Sequence, residues 1–214
     1  MINTLIDKYY PEHNELRHIL ITHSTLVMER AVRICDAHPE LGMDRTFVQE
    51  AAMLHDIGIV RCDAPGIHCH GTQPYILHGR IGAEMLRAEG LPRHARVCER
   101  HTGAGLTRED IVRQQLPWPP QDFLPETWEE QVICYADKFY SKTHPEREKT
   151  LEQAERSLAK FGEEGLLRFR HWHEVFEGTL HQGGHPSLSP MGGCLCPLYI
   201  IIRCGHSPVS RYHL

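Results

Sequence analysis

The chain has 214 residues, 41% of them hydrophobic and 24% charged, ordinary proportions for a single globular domain with or without an appendage. A formal net charge of −5 argues against an electrostatic footprint for nucleic acid or an anionic membrane. No apolar run reaches the roughly 18 residues a membrane span needs, and the first residues lack the basic-then-apolar order of a secretory leader, so a cytoplasmic location is the expectation.

Helix signals dominate the chain. Pro11 suits a first helical turn, and Leu16, Leu20, His23, Val27 and Ile34 then recur at helical spacing to about His38. Asp44 suits the cap of a second helix whose inner face is Val48, Ala51, Ala52 and His55, stopping at Gly58. From Arg61 to about Tyr75 the Gly, Pro, Cys and His content predicts a loop, placed to wall or cover a pocket. Further helices are predicted from His78 to Gly90, from Pro92 to His101, and briefly from Thr107. Leu116 to Pro120 cannot be helical throughout. Thr127 and Glu130 form a capping box opening a helix that buries Ile133, Cys134 and Asp137. Leu151, Ala154, Leu158 and Phe161 mark another amphipathic helix, and Leu166 to Phe176 a last one. The expectation is an all-α domain over 1–178, with an irregular tail over 179–214.

Eight scattered cysteines include no Cys-x-x-Cys pair, and Cys35, Cys98 and Cys134 fall on apolar helix faces, where free cysteine packs as a small hydrophobe. The 17 histidines are the unusual count. His23, His55, His101 and Asp137 each occupy a core-facing position of a different predicted helix. A buried histidine needs one hydrogen bond, but a buried carboxylate costs several kcal/mol unless it is paired or holds a metal. Asp56 and Asp137 both meet that difficulty, and mixed imidazole and carboxylate ligands suit iron, manganese, zinc or magnesium. Adjacent His55 and Asp56 point about 100° apart on a helix, so both reach one ion only at a terminus or bend, which Gly58 is placed to supply.

Met53-Leu54-His55-Asp56-Ile57-Gly58 resembles the signature of the HD superfamily of metal-dependent phosphohydrolases in its HDIG form. His23-Ser24 with Val27 and Ala31 is similar to the family's first ligand helix, and Ala136-Asp137-Lys138 to its distal aspartate motif. The resemblance spans about Leu16 to Phe176. It implies a helical bundle around His23, His55, Asp56 and Asp137 as ligands of a first ion. His78 and His101 match positions where some members hold a second ion, with Asp56 bridging. Thr102 stands where relatives degrading cyclic dinucleotides carry a further histidine, which argues against that subgroup.

The implied activity is hydrolysis of a phosphoester in a nucleotide or small phosphorylated metabolite, using a dinuclear site of divalent Mn, Fe, Mg or Zn. Asp56, His55 and Lys138 are the catalytic candidates, with Lys142 and Arg100 as further cations for phosphate oxygens. The same ligand order also resembles myo-inositol oxygenase and related di-iron oxygenases. A non-catalytic metal-binding regulatory module is the third reading, though no ligand position is missing. The sequence leaves the oligomeric state open.

Overall fold

The computed structural model describes residues 1–178, so the expected tail lies outside the described residues. Nine helices are formed there: α1 (Ile2–Tyr9), α2 (Glu15–Ala37), α3 (Arg45–Leu54), α4 (His78–Ala88), α5 (Pro92–Arg100), α6 (Arg108–Arg113), α7 (Trp128–Asp137), α8 (Leu151–Ala159) and α9 (Glu163–Phe176). The all-α expectation holds. No helix among the described residues is long and apolar enough to cross a membrane.

Local chemistry accounts for most helix starts. Asp44 Oδ1 accepts from the Phe47 amide, 3.1 Å, to open α3, and Thr127 with Glu130 opens α7 as the predicted capping box. Thr107 with Asp110 and Thr150 with Gln153 form two more such boxes, opening α6 and α8. Pro11 is not a helix start. The cap of α2 is Asn14, whose side chain accepts from the Arg17 amide at 3.1 Å. Phe161, expected on the stripe of α8, lies beyond its end and is 42% exposed.

The segment after α3 is more structured than predicted. A short 3-10 turn (Ile57–Arg61) leads into three very short strands, β1 (Cys62–Ala64), β2 (Cys69–His70) and β3 (Gln73–Pro74). They form one sheet in the order β2-β1-β3, antiparallel between β1 and β2 and parallel between β1 and β3. Cys35, Cys62, Cys69, Cys98 and Cys134 are all free and buried, as expected for the three on helix faces.

Two large apolar clusters carry most of the core, beside a smaller one of Leu106, Ile111, Trp118 and Phe123. One gathers Leu5, Ile6, Leu16, Leu20, Leu54, Ile57, Ile81 and Leu86; the other gathers Val27, Ala31, Ile34, Val48, Ile133, Phe169 and Trp172. Helix α2 serves both, one with its first turns and the other with its last, and His23 lies at the seam between them.

Two glycines set how closely the elements around that seam approach. A Cβ on Gly58 would lie 2.2 Å from the His78 carbonyl oxygen and 2.4 Å from the Gly82 amide nitrogen, both on α4. A Cβ on Gly79 would lie 2.4 Å from the Cys98 carbonyl oxygen of α5. The obstacles are backbone and cannot rotate aside. Gly58→Ala should therefore destabilise the fold by about 1–3 kcal/mol, the usual range for overpacking. Urea denaturation checks this, and an unchanged midpoint would show that α4 can yield.

Candidate metal centre

The six side chains of the centre are delivered by the ends or middles of five helices. His23 comes from mid-α2, and Asp137 is the last residue of α7. His78 begins α4, and His101 directly follows α5. His55 and Asp56 follow α3, where the backbone leaves helical geometry at Asp56 (φ −106°, ψ 10°). The bend that frees both side chains is thus at Asp56 itself; Gly58 serves close packing instead.

All six residues are brought together. One oxygen of Asp56, Oδ2, lies 3.1 Å from His23 Nε2 and 3.0 Å from His55 Nε2. Asp137 Oδ1 lies 3.0 Å from His23 Nε2 and 3.5 Å from His55 Nε2. The other Asp56 oxygen, Oδ1, is 3.4 Å from Nε2 of both His78 and His101. Two groups result, His23-His55-Asp56-Asp137 and Asp56-His78-His101, each with its donor atoms within 4.8 Å of one another. Asp56 belongs to both.

Backbone carbonyls fix the imidazole orientations. His55 Nδ1 meets the Ala52 oxygen at 2.6 Å, His78 Nδ1 the Tyr75 oxygen at 2.8 Å, and His101 Nδ1 the Cys98 oxygen at 2.7 Å. A carbonyl only accepts, so each Nδ1 donates, leaving Nε2 to face the centre. His78 and His101 consequently present Nε2 to Nε2 at 3.0 Å. Two lone pairs that close repel unless a positive charge lies beside them. His55 Nε2 and both Asp56 oxygens are buried and, despite their near neighbours, make no hydrogen bond of good geometry. Donor set, orientation and orphaned atoms all fit divalent cations.

The electrostatics agree. Burial would raise the Asp56 carboxyl, but His55 and Lys142 overcome it and hold it well below the usual carboxylate range. Burial likewise opposes ionisation of Asp137, and Lys138 with the two histidines holds it well down. Burial lowers His55, but Asp56 and Asp137 outweigh it and raise it to about 9. Burial and His101 push His78 down to about 3. Of His55 and His78, His55 therefore keeps the proton, and an entering cation must displace it.

Lysine side chains surround the carboxylates. Lys138 Nζ donates to Asp137 Oδ2 at 2.7 Å and to the His101 carbonyl at 2.9 Å, and Lys142 Nζ lies 2.7 Å from Asp56 Oδ2. Arg100 is engaged elsewhere, by Glu126 at 2.7 Å and the Leu124 carbonyl at 2.5 Å. A cavity of about 320 Å³ opens beside the centre, lined by His78, His101, Asp137, Lys138, Lys142 and Lys149 among others. Of the 61–75 loop only Tyr75 lines it. Lys149, Tyr140 and Ser157 also reach it and were not legible in the sequence: Lys149 and Tyr140 lie beyond helix ends, where no periodicity reports their facing, and Ser157 is a small polar residue on α8 with no distinguishing signal.

The pattern of the HD-domain family matches residues 20–141, more than half of the chain. The chain belongs to the HD-domain family. An uncharacterized Methanocaldococcus jannaschii protein is 33% identical to this HD protein over 145 residues, which cover 66% of the chain and 78% of that relative. A Picrophilus torridus tRNA (cytidine(56)-2'-O)-methyltransferase is 35% identical over 144 residues, 63% of the chain but 38% of the relative. A Thermoplasma volcanium protein of the same name is 36% identical over 123 residues, 57% of the chain and 32% of the relative. The HD chain thus spans about a third of those methyltransferases' own length. Among solved structures, the HD domain of the L. monocytogenes phosphodiesterase PgpH is similar at a TM-score of 0.47 and 16% identity, covering 78% of this chain and 88% of that one.

Proposed function

We propose that the protein is a metal-dependent phosphohydrolase acting on a phosphoester of a nucleotide or small phosphorylated metabolite, with two divalent cations. The observation that carries this reading is the cavity at the six-residue cluster, lined by the ammonium groups of Lys138, Lys142 and Lys149. Three ammonium groups against one lining carboxylate, Asp137, favour an anion over a neutral polyol, which weighs against an oxygenase of the myo-inositol type.

His23, His55, Asp56 and Asp137 would hold one cation, and Asp56, His78 and His101 the other. Bound cations supply the charge that lowers the pKa of a water and offsets developing charge on phosphoryl oxygens. Lys138 acts as a positioning residue: its ammonium, kept charged by Asp137 against the effect of burial, ties Asp137 to the His101 carbonyl. Lys142 is kept charged by Asp56, again against burial, and stands at the mouth of the cluster where a phosphoryl oxygen would be received. The three carbonyls behind His55, His78 and His101 hold the rings in register throughout.

The test uses protein purified anaerobically, with metal content, phosphate release from a phosphoester panel and oxygen uptake measured together. Phosphate release that stops with chelator and returns with manganese is expected. Oxygen uptake coupled to substrate loss without phosphoester cleavage would overturn the reading in favour of the oxygenase.

A further inference from the structure

A second concavity, of about 470 Å³, adjoins the first, and Lys149 and Ser157 line both. Its cationic lining is Arg147, Lys149, Arg156 and Lys160, with no acidic residue among the lining side chains. This is a local reversal of sign in a chain of net charge −5. Gln153, Arg156, Ser157 and Lys160 follow one another at helical spacing, so α8 and its C-cap present them on one face. The acidic residues of α8 are occupied elsewhere: Glu155 by Arg170 at 2.8 Å and Glu152 by the Thr150 hydroxyl at 2.8 Å.

The loop before α8 is pinned where it meets the cavity. The Lys149 amide donates to the Phe139 carbonyl at 2.8 Å, just past α7. Burial pushes the Lys149 ammonium below the ordinary lysine range; Lys138, Lys142 and Lys160 add to this, and Asp137 offsets only part of it. None of Arg147, Lys149, Arg156 and Lys160 forms an ion pair among the described residues. Four cations collected in one concavity with no carboxylate in its lining, continuous with a reaction cavity, call for an anion. The first cavity is also lined by Tyr140, Leu158 and the half-exposed ring of Phe161, a surface that suits a base or similar flat apolar group.

We propose that this concavity is a subsite for a second phosphate, so that the substrate is a nucleotide bearing at least two phosphate groups. One phosphate lies at the His/Asp cluster, and the other is held by Arg147, Lys149, Arg156 and Lys160. The assignment of the first phosphate rests on the phosphohydrolase reading; that of the second rests on the α8 surface.

Equilibrium binding of AMP, adenosine 3′,5′-bisphosphate and the dinucleotide pApA to the full chain tests it. At least one two-phosphate ligand should bind about tenfold or more tighter than AMP, a modest yield for charge-assisted contacts screened by solvent. The combined variant Arg147→Gln, Arg156→Gln, Lys160→Gln changes three exposed side chains, and its melting temperature verifies the fold. It should bring that ratio near one and flatten the salt dependence of the two-phosphate ligand. Equal affinity for all three ligands in the wild type, or a preference that survives the substitutions, would overturn the subsite. Hydrolysis products of each probe, assayed in parallel, keep the two readings apart. A preference lost in the variant, without turnover of any probe, supports the subsite and counts against hydrolysis. Turnover without a preference removes the subsite and leaves hydrolysis standing.

Discussion

Asp56→Asn should lower turnover on the order of 10³-fold or more, beyond the ~10–100-fold typical of residues that only support metal ligands. Asp56 is the one side chain whose two oxygens serve both groups of donors: Oδ2 faces His23 and His55, and Oδ1 faces His78 and His101. Asparagine keeps the shape but loses the negative charge that holds two cations near each other. Both should dissociate at concentrations the wild type retains. The helical signal in circular dichroism should persist, because neither apolar cluster includes Asp56. A variant that keeps two ions and wild-type turnover on any accepted substrate would remove Asp56 as the shared ligand.

Substitution at the two ends of the cluster should separate its halves. His78→Ala and His101→Ala should each reduce metal content from about two ions to about one and cut activity at least ~100-fold. His55→Ala should lose both, since His55 and the adjacent Asp56 leave α3 through the same bend. Elemental analysis of the purified variants checks this. A wild type holding one ion, indifferent to His78→Ala, would reduce the centre to a mononuclear site.

The ligand candidates were legible because ionisable residues stand out on apolar helical stripes. His23 interrupts Leu20 and Val27, and Asp137 closes a helix of buried residues opened by a capping box. Fold class followed from the same periodicity. Helix α1 gave no such signal: it is eight residues long, buries only Leu5 and Ile6, and has no side-chain cap. A helix that short is marginal alone. It is secured from outside, through Tyr10, whose hydroxyl donates to the Ile57 carbonyl at 2.7 Å and accepts from the Val60 amide at 3.1 Å. The three strands were equally hidden, since runs of two or three residues are too short to show alternation. Net charge concealed the α8 cations, because a sum over the whole chain erases a patch.

The glycine contacts around His78 have a thermodynamic consequence. Gly58 touches the backbone of α4, and Gly79 touches that of α5, with no compressible side chain between. A shift of the turn carrying Asp56 is therefore transmitted to His78, and from His78 toward the carbonyl that orients His101. The two half-sites form one mechanical unit. Filling either half should therefore change the affinity of the other, and linkage requires the effect to be mutual.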